Sequence, residues 1–250
     1  PLGRPVVPEV YIRSAGDEGP AGSTRLREVV TAYHRRVRSG CSTAANAVVV
    51  SGFRQGLVFV LAALARHGIR SIALEDPGPR EHDLIARRCG LDAVPVPVDG
   101  EGLDVGRLRA TGARAVLLTP AHQCPTGVAL GPARRRDLVS WADEVDGVVL
   151  EDDYDAEFRY DRQPVGSLQG LSPDRVIALG SVSKTLAPAI RLGWVLAPDR
   201  FVADVIDLVR HDGTCWLGGT RWNGRWMLRV SVAGTDELSS LPVPLWPRDW

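Results

Sequence analysis

The sequence predicts an α/β protein in which a mainly parallel sheet is covered by helices on both faces, a three-layer αβα arrangement. Short runs of apolar residues alternate along the chain with segments whose apolar residues recur at helical spacing. A continuous apolar run is typical of a strand buried on both faces, and such a strand requires a helix layer on each side. The chain has 250 residues, 44% of them hydrophobic, which is enough to bury a core of this kind.

The predicted elements alternate in order from residue 24 onwards. We predict strands at 47–50, 71–74, 94–98, 115–118, 147–150, 175–179 and 194–197. We predict helices at 24–38, 57–67, 81–88, 105–110, 132–144 and 200–210. Pro95 and Pro97 favour an edge position for the third strand, since proline cannot donate to a central ladder. Residues 1–23 are rich in proline and glycine and predict a linker or arm.

The charge balance and the cysteines exclude several classes of protein. Lys+Arg equals Asp+Glu at 30 each, so the net charge gives no electrostatic case for a nucleic acid or a membrane as partner. The run Arg134–Arg136 follows Pro132 at a helix start and is interpreted as a solvated helix face. The cysteines are dispersed, without a C-x-x-C pair, which argues against a zinc site and for reduced thiols. Without a membrane-length apolar run or a signal pattern, the chain is predicted to be soluble and cytoplasmic.

Lys184 lies in a stretch, residues 180–193, that is placed between two short apolar runs. Lysines usually lie on solvated faces, so a lysine at the end of a strand calls for a chemical reason. One such reason is that an amine of lowered pKa can form a Schiff base with a carbonyl. Ser181 and Ser183 supply hydroxyl donors, and Arg191 supplies a fixed positive charge suited to a phosphate. The alternative interpretation is a lysine on a surface turn with a structural arginine nearby.

Two further patterns contribute chemistry. Ser51-Gly52-Phe53-Arg54 lies between a strand and a helix, where free N–H groups and the positive end of the helix dipole favour an anion. Glu151-Asp152-Asp153 closes a strand of the buried type and precedes Tyr154. By itself, that run of carboxylates also permits a Mg²⁺ site.

The stretch around Lys184 resembles the S-x-S-K-x-L-x-P-x-x-R-x-G signature of fold-type I pyridoxal-phosphate (PLP) aminotransferases. The likeness is greatest to the aminotransferase domain of MocR-type regulators, whose E-D-D-Y-D-x-E-F-x-Y run is also similar to residues 151–160. The resemblance implies an internal aldimine on Lys184, a pairing of Asp152 with the pyridinium nitrogen, and a hydrogen bond from Tyr154 to the phenolic oxygen. It also implies the residues that bind the phosphate: the backbone of Gly52, Phe53 and Arg54, with Ser181, Ser183 and Arg191.

Two positions depart from the family pattern. The loop Thr119–Gly127 is similar to the family's H-Q-x-P-T-G loop, but Cys124 stands where aminotransferases have an asparagine that contacts the cofactor. His122 in this loop is interpreted equally well as a turn histidine, and Pro125-Thr126-Gly127 as an ordinary turn. Pro79 follows Glu75-Asp76-Pro77-Gly78 where the family has an aromatic residue that stacks on the pyridine ring.

The resemblance divides the chain into three parts: the arm at 1–23, a PLP-binding large domain at 24–210, and a truncated small C-terminal domain at 211–250. Residues 211–232 resemble the extreme C-terminus of PLP-dependent decarboxylases. Arg229 is the candidate that binds a substrate α-carboxylate, and a surface arginine at a sheet edge is the alternative.

Two functions follow from the resemblance. The first is a PLP-dependent aminotransferase acting on an amino acid, and the second is the effector-sensing domain of a MocR-type regulator, without turnover. A homodimer is implied in both cases. No winged-helix segment is recognised before residue 20, so no nucleic-acid partner is predicted, and no metal is predicted. An NAD-binding Rossmann domain is disfavoured, because the glycine spacing after the first strand is not G-x-G-x-x-G.

Overall fold

Eight strands form one mixed sheet in the computed structural model, which describes residues 20–154, 166–187, 190–212, 216–222 and 225–231. The strands of this sheet are β1 (Ala47–Val50), β2 (Ser71–Asp76), β3 (Asp92–Asp99), β4 (Gly102–Leu103), β5 (Ala115–Leu118), β6 (Val148–Asp153), β7 (Val176–Ser181) and β8 (Gly193–Leu196). Their spatial order is β1-β8-β7-β6-β5-β2-β3-β4. The mostly parallel α/β fold class that the sequence predicts is confirmed.

Strand direction places six carboxyl ends at one edge of the sheet. The neighbours β3, β2, β5, β6 and β7 are all parallel. Strand β8 is antiparallel to both β7 and β1, so β1 runs in the same direction as β7. The proline-containing strand β3 is covered on its outer side only by the two-residue strand β4, which agrees with the predicted position near an edge.

Six helices accompany the sheet within the described residues. They are α1 (Thr24–Arg38), α2 (Phe53–Arg66), α3 (Arg80–Arg88), α4 (Val105–Ala110), α5 (Pro132–Glu144) and α6 (Asp199–Asp212). Ser23 caps α1 by accepting from the Leu26 N–H. Each predicted helix and strand is present, with bounds that shift by a few residues at most sites.

The core lies on both faces of the sheet because successive side chains of each strand point to opposite sides. On one face, Leu150 and Leu179 pack with Leu57 of α2 and Val205 of α6. On the other face, strand residues such as Val149 pack with Leu138 and Trp141 of α5, and a smaller cluster includes Val30 of α1. The result is the three-layer arrangement expected from the apolar runs.

The run Arg134–Arg136 is not a solvated helix face, so that interpretation is wrong. Arg135 is buried, 7% exposed, and its guanidinium donates to three carbonyl oxygens, those of Pro120, Leu130 and Gly166. Successive helical residues are about 100° apart around the axis, so consecutive arginines do not share an environment. Arg136 is exposed, as expected for a solvated position.

The end of the predicted arm packs on the sheet. Ala21 is buried, and its carbonyl accepts from Val49 N of β1 at 2.9 Å, while residues 1–19 lie outside the described residues. Helix α6 continues to Asp212, and β9 (Trp216–Trp222) pairs antiparallel with β10 (Arg225–Ser231). The division of the chain at residues 23 and 210 stays a prediction.

Candidate functional site

The carboxyl edge of the parallel strands gathers the residues that the sequence singles out. Ser51 and Gly52 follow β1, Asp152 and Asp153 end β6, and Ser181 ends β7. The register places Gly193 of β8 opposite both Val50 and Ser181, so the turn after β1 lies beside the end of β7. In open parallel sheets, ligands bind at this edge, where the connections between strands and helices form a crevice.

The turn after β1 leaves open space in front of the first turn of α2. Gly52 has φ +94°, a conformation that side chains rarely adopt, and a Cβ added there would meet no atom within 4 Å. Gln55 Oε1 accepts from Ser51 N at 2.6 Å and fixes the turn. Gly193 must also be glycine, because a Cβ there would lie 2.7 Å from Gly52 Cα. An open cradle at a helix N-terminus suits a phosphate group.

The first turns of α2 and α3 are held together by two contacts. Arg54 Nη2 donates to Glu81 Oε2 at 2.6 Å. The Arg54 side chain is therefore engaged with α3, and its backbone N–H is the group left for an anion at the start of α2. The Phe53 and His82 rings are 5.7 Å apart and tilted by 46°. Burial lowers the pKa of His82, which favours a neutral ring. His82 was not predicted, although it lies one helical turn after Pro79.

The carboxylates at the end of β6 divide between the two faces of the sheet. Asp152 is 7% exposed and has the same strand parity as Leu150, which places it on the face covered by α2. Glu151 and Asp153 have the opposite parity and contact residues of the other layer. The three carboxylates therefore do not point toward a common position, which removes the basis of the magnesium alternative. Among the described residues, no group of three His, Cys, Asp or Glu could hold a metal ion.

Beneath Asp152, a buried polar cluster joins β6 to its surroundings. Arg38 of α1 donates from Nε to Asp153 Oδ2 at 2.9 Å. Glu151 accepts from Ser167 Oγ and from the N–H groups of Leu168 and Gln169. Burial raises the pKa of Glu151, with Asp153 adding to the effect and the hydrogen bonds opposing it. The cluster anchors the strand end that bears Asp152.

His34 of α1 belongs to the same cluster. Burial lowers its pKa to about 4, Asp153 opposes this shift, and Arg38 adds to it. The imidazole is therefore neutral near neutral pH, which is the form that a buried site tolerates.

The loop after β5 contacts the end of β2 and one of the expected cofactor residues, Tyr154. Thr119 donates from N and Oγ1 to Glu75 Oε2 at the end of β2, and Cys124 N donates to Thr119 Oγ1 at 3.2 Å. Burial raises the pKa of Glu75, while the bonds from Thr119 oppose the shift. Tyr154 Oη donates to the His122 carbonyl at 3.2 Å, so this loop positions the hydroxyl expected to contact the cofactor.

Lys184 lies on an exposed turn just beyond β7, between Ser181 and Leu186. Val182 N donates to the Leu192 carbonyl and Leu186 N to the Val182 carbonyl, which closes the turn. Because Lys184 is exposed in the single chain, its amine is not desolvated there, contrary to what the sequence led us to expect. Arg191 is exposed with φ +51° at the start of β8, near the same edge.

The composition of the chain gives a further indication for Lys184, independent of the motif around it. Lys184 is the only lysine among the 30 basic residues, and all the others are arginine. Arginine serves surface charge and ion pairs as well as lysine does, but its guanidinium stays protonated and forms no Schiff base. A chain that uses arginine everywhere else retains one amine at the carboxyl edge of its sheet.

Comparison with known proteins agrees with this arrangement. The family model for aminotransferase class I and II matches residues 18–213. The chain belongs to the class I and II aminotransferase family.

Within this family, the chain is similar to regulators. It is 35% identical over 177 residues to the HTH-type pyridoxine biosynthesis transcriptional regulator PdxR of Corynebacterium glutamicum, covering 71% of this chain and 38% of the relative. It is 32% identical over 218 residues to YdeL, an HTH-type transcriptional regulator of Bacillus subtilis, covering 84% and 47% respectively. The chain thus spans less than half the length of these relatives.

Among solved structures, the aminotransferase-family chain is similar to kynurenine aminotransferase from Pyrococcus horikoshii. The TM-score is 0.71 at 24% identity, covering 82% of this chain and 53% of that one. This likeness shows the fold.

The aminotransferase-family site fits PLP in three respects that the structure describes. The space in front of Gly52 is open at a helix N-terminus, Asp152 brings a buried carboxylate to the end of β6, and Lys184 supplies an amine at the same edge of the sheet. Pro188, Ala189 and residues 155–165 lie outside the described residues, and Arg229 lies in β10, whose side chains are not described. None of the helices in the described ranges is both long enough and apolar enough to cross a bilayer.

Proposed function

We propose that this chain binds pyridoxal 5'-phosphate covalently through Lys184 and recognises an amino acid as effector, as part of a MocR-type transcriptional regulator. The observation that carries the proposal is the placement of the only lysine at the carboxyl edge of an aminotransferase-family sheet. Surface lysines normally occur in numbers, so a unique one at this edge favours a chemical role. The exposed turn that carries Lys184 also agrees with the surface-turn alternative, so what favours a chemical role is that Lys184 is the only lysine.

The proposed cofactor site assigns a role to each residue at the edge. The N–H groups of Gly52, Phe53 and Arg54 bind the phosphate, with Ser181, Ser183 and Arg191 as further donors. Asp152 would keep a proton on the ring nitrogen, and its burial would strengthen that interaction. Tyr154, which donates to the His122 carbonyl in the free protein, would donate to the phenolic oxygen instead. Bound PLP supplies an electrophilic carbon that amines attack and a ring that withdraws electrons.

The regulator's role is favoured over turnover by the relatives, which are named HTH-type transcriptional regulators. Cys124 also replaces the asparagine that aminotransferases use at the cofactor. In the enzyme alternative, the Lys184 amine would take the proton from the amino acid's Cα. That alternative is favoured by the retention of both Lys184 and the buried Asp152. In either case we propose that Arg229 binds the effector carboxylate.

A homodimer is also part of the proposal. Leu186 is 70% exposed and Ile190 is 36% exposed, and both lie close to Lys184 in sequence. Apolar side chains exposed beside a proposed site favour cover by a second copy of the chain. Sedimentation equilibrium measures this directly, and a strictly monomeric cofactor-loaded protein would contradict it.

The proposed attachment is tested with Lys184→Ala and with Lys184→Arg, which keeps the charge. Wild type mixed with PLP is expected to show a visible absorption band, and borohydride should fix the cofactor on the tryptic peptide that contains Lys184. Both variants should give no such labelled peptide, because arginine forms no Schiff base. Label on either variant, or a colourless wild type at excess PLP, would reject the proposal.

Sensing and turnover are then separated by adding amino acids to the loaded protein. Conversion of the cofactor to pyridoxamine phosphate indicates transfer. A persistent spectral change that reverses when the amino acid is removed indicates sensing.

A further inference from the structure

Gln123 makes hydrogen bonds with every polar position of its side chain. It is 2% exposed, and its Nε2 donates to the Pro77 carbonyl at 2.8 Å and to the Cys124 carbonyl at 2.7 Å. Its Oε1 accepts from Thr126 N at 3.0 Å and from Thr126 Oγ1 at 2.6 Å. A carboxamide offers two donor hydrogens and two acceptor lone pairs, so none of this capacity remains for a ligand.

These bonds link two connections that are far apart in sequence. Pro77 belongs to the loop after β2, which leads to Pro79 at the start of α3. Thr126 and Cys124 belong to the loop after β5. The backbone of Gln123 adds two more bonds inside its own loop, one from Gln123 N to the Val128 carbonyl and one from Gly127 N to the Gln123 carbonyl. One buried side chain therefore fixes the separation of the two loops.

The residues on either side of Gln123 face the proposed cofactor site. The His122 carbonyl accepts from Tyr154 Oη at 3.2 Å. Cys124 occupies the position where aminotransferases have a cofactor-contacting asparagine. Since the peptide groups on both sides of Gln123 move with it, a shift of this side chain would displace the Tyr154 acceptor and the Cys124 thiol together.

We propose that Gln123 is a positioning residue: by clamping the loop after β5 to the loop after β2, it holds Cys124 at the cofactor site and places the His122 carbonyl where it orients Tyr154 in the free protein. This inference rests on the proposed function for the identity of the ligand, but the clamp itself is a property of the free protein. Gln123 touches no reacting atom in this scheme. Its effect passes through the two neighbouring residues.

The clamp is tested in the free protein by the alkylation rate of Cys124. The structure describes Cys124 as half-buried, whereas Cys41 is exposed and serves as a reference thiol in the same molecule. With iodoacetamide and peptide mass spectrometry, Gln123→Leu is expected to raise the Cys124 rate about tenfold while the Cys41 rate stays constant, because the loss of the carboxamide's hydrogen bonds frees the loop. Equal changes at both thiols, or no change at Cys124, would overturn the proposal.

Gln169 provides a matched control. It is also a buried glutamine, and its Oε1 accepts from Cys41 N at 2.7 Å, far along the chain from the clamp. Gln169→Leu removes a comparable buried carboxamide and should leave the Cys124 rate at the wild-type value. In this variant the Cys124 rate is compared directly with that of wild type and not with Cys41, because Cys41 N loses its acceptor. A rise at Cys124 in this variant as large as in Gln123→Leu would mean general loosening and would overturn the proposal.

The cofactor readout distinguishes this inference from the function on which it rests. PLP titrated into Gln123→Leu, followed by the visible band, should give a dissociation constant about tenfold weaker than wild type, with the Lys184 peptide still labelled. If the wild type binds no PLP, the proposed function is rejected, and the clamp is then tested by the Cys124 alkylation rate alone. A wild type and a variant that bind PLP equally tightly reject the positioning role.

Thr126→Val is the second variant in case Gln123→Leu does not fold. Thr126 is exposed, so its replacement disturbs little packing, yet it removes the hydroxyl that donates to Gln123 Oε1. We expect the Cys124 alkylation rate to rise about threefold, since only one of the Gln123 side-chain bonds is lost, together with the longer bond of 3.4 Å from Val128 N to the Thr126 hydroxyl. An unchanged rate would overturn the clamp.

Discussion

Arg135 shows how a single residue can contradict its sequence context. It lies between Arg134 and Arg136 at the start of α5, but only Arg135 points into the layer between the helix and the sheet. A buried guanidinium is costly unless its donors are occupied, and here they serve carbonyl groups of Pro120, Leu130 and Gly166. The Arg135 guanidinium thus supplies hydrogen-bond donors to carbonyl groups of these connecting segments.

Arg135→Met should lower the free energy of unfolding by about 3 kcal/mol, since it leaves buried carbonyl groups without donors. Arg136→Met, one residue along the same helix and exposed, should change it by less than about 0.5 kcal/mol. Urea unfolding followed by circular dichroism measures both. Equal losses in the two variants would show that the guanidinium of Arg135 does not act as described.

Helix α2 is the element that turns the fold into a candidate site, because its N-terminus faces the carboxyl edge. Gly52 precedes it with φ +94°, and Gly68 follows it with φ +77°; at neither position would a Cβ meet another atom within 4 Å. The same substitution at the two ends therefore carries similar backbone strain, of about 1 kcal/mol. Only the N-terminal end has free N–H groups that point toward an anion.

Gly52→Ala and Gly68→Ala should lose similar stability, but only Gly52→Ala should lose PLP affinity, by tenfold or more. The added methyl at Gly52 occupies the space that we assign to the phosphate, whereas the methyl at Gly68 faces the opposite edge of the sheet. Thermal unfolding and the visible titration provide the two readouts. If both variants bound PLP like wild type, the phosphate would have to lie elsewhere.

The elements themselves follow from the sequence because their signals are local. Helical spacing and apolar runs each depend on a few neighbouring residues, and the observed α4, α5, β1 and β5 have the predicted bounds. The contacts that shape the site are not local. Arg38 meets Asp153 across 115 residues and Gln123 meets Pro77 across 46, and no periodicity marks such pairs. That Lys184 is the only lysine can also be seen in the sequence, but this is a property of the composition and not of a motif.

In the molecule as a whole, the two edges of the sheet carry different kinds of charge. At the amino edge, Asp146 accepts from Arg114, Arg175 and Arg200, and the bonds from Arg175 and Arg200 hold the pKa of that exposed carboxyl below its usual range. Exposed pairs of this type contribute little to stability. Beneath the carboxyl edge, the cluster of His34, Arg38 and Asp153 is buried, so protonation there affects the folding of the whole chain.

His34 should make stability fall as the solution is acidified. Its pKa is about 4 in the folded protein and about 6.5 when unfolded, so between these values the unfolded chain binds more protons. The free energy of unfolding should therefore decrease from pH 7.5 to pH 5.5, with about 1 kcal/mol of the change due to His34. The raised pKa values of Glu75 and Glu151 act in the opposite direction, since the folded protein then binds protons more readily.

His34→Gln isolates the histidine from those carboxyl groups, because Glu75 and Glu151 are present in both proteins. Urea unfolding of wild type and variant at pH 7.5 and 5.5 gives two differences, and the wild type should lose about 1 kcal/mol more than the variant. The absolute stability of His34→Gln is not the readout, since the new side chain packs differently beside Gly40. Identical pH dependence in the two proteins would mean that the imidazole stays solvated, and that α1 does not seal the buried charges beneath Asp152.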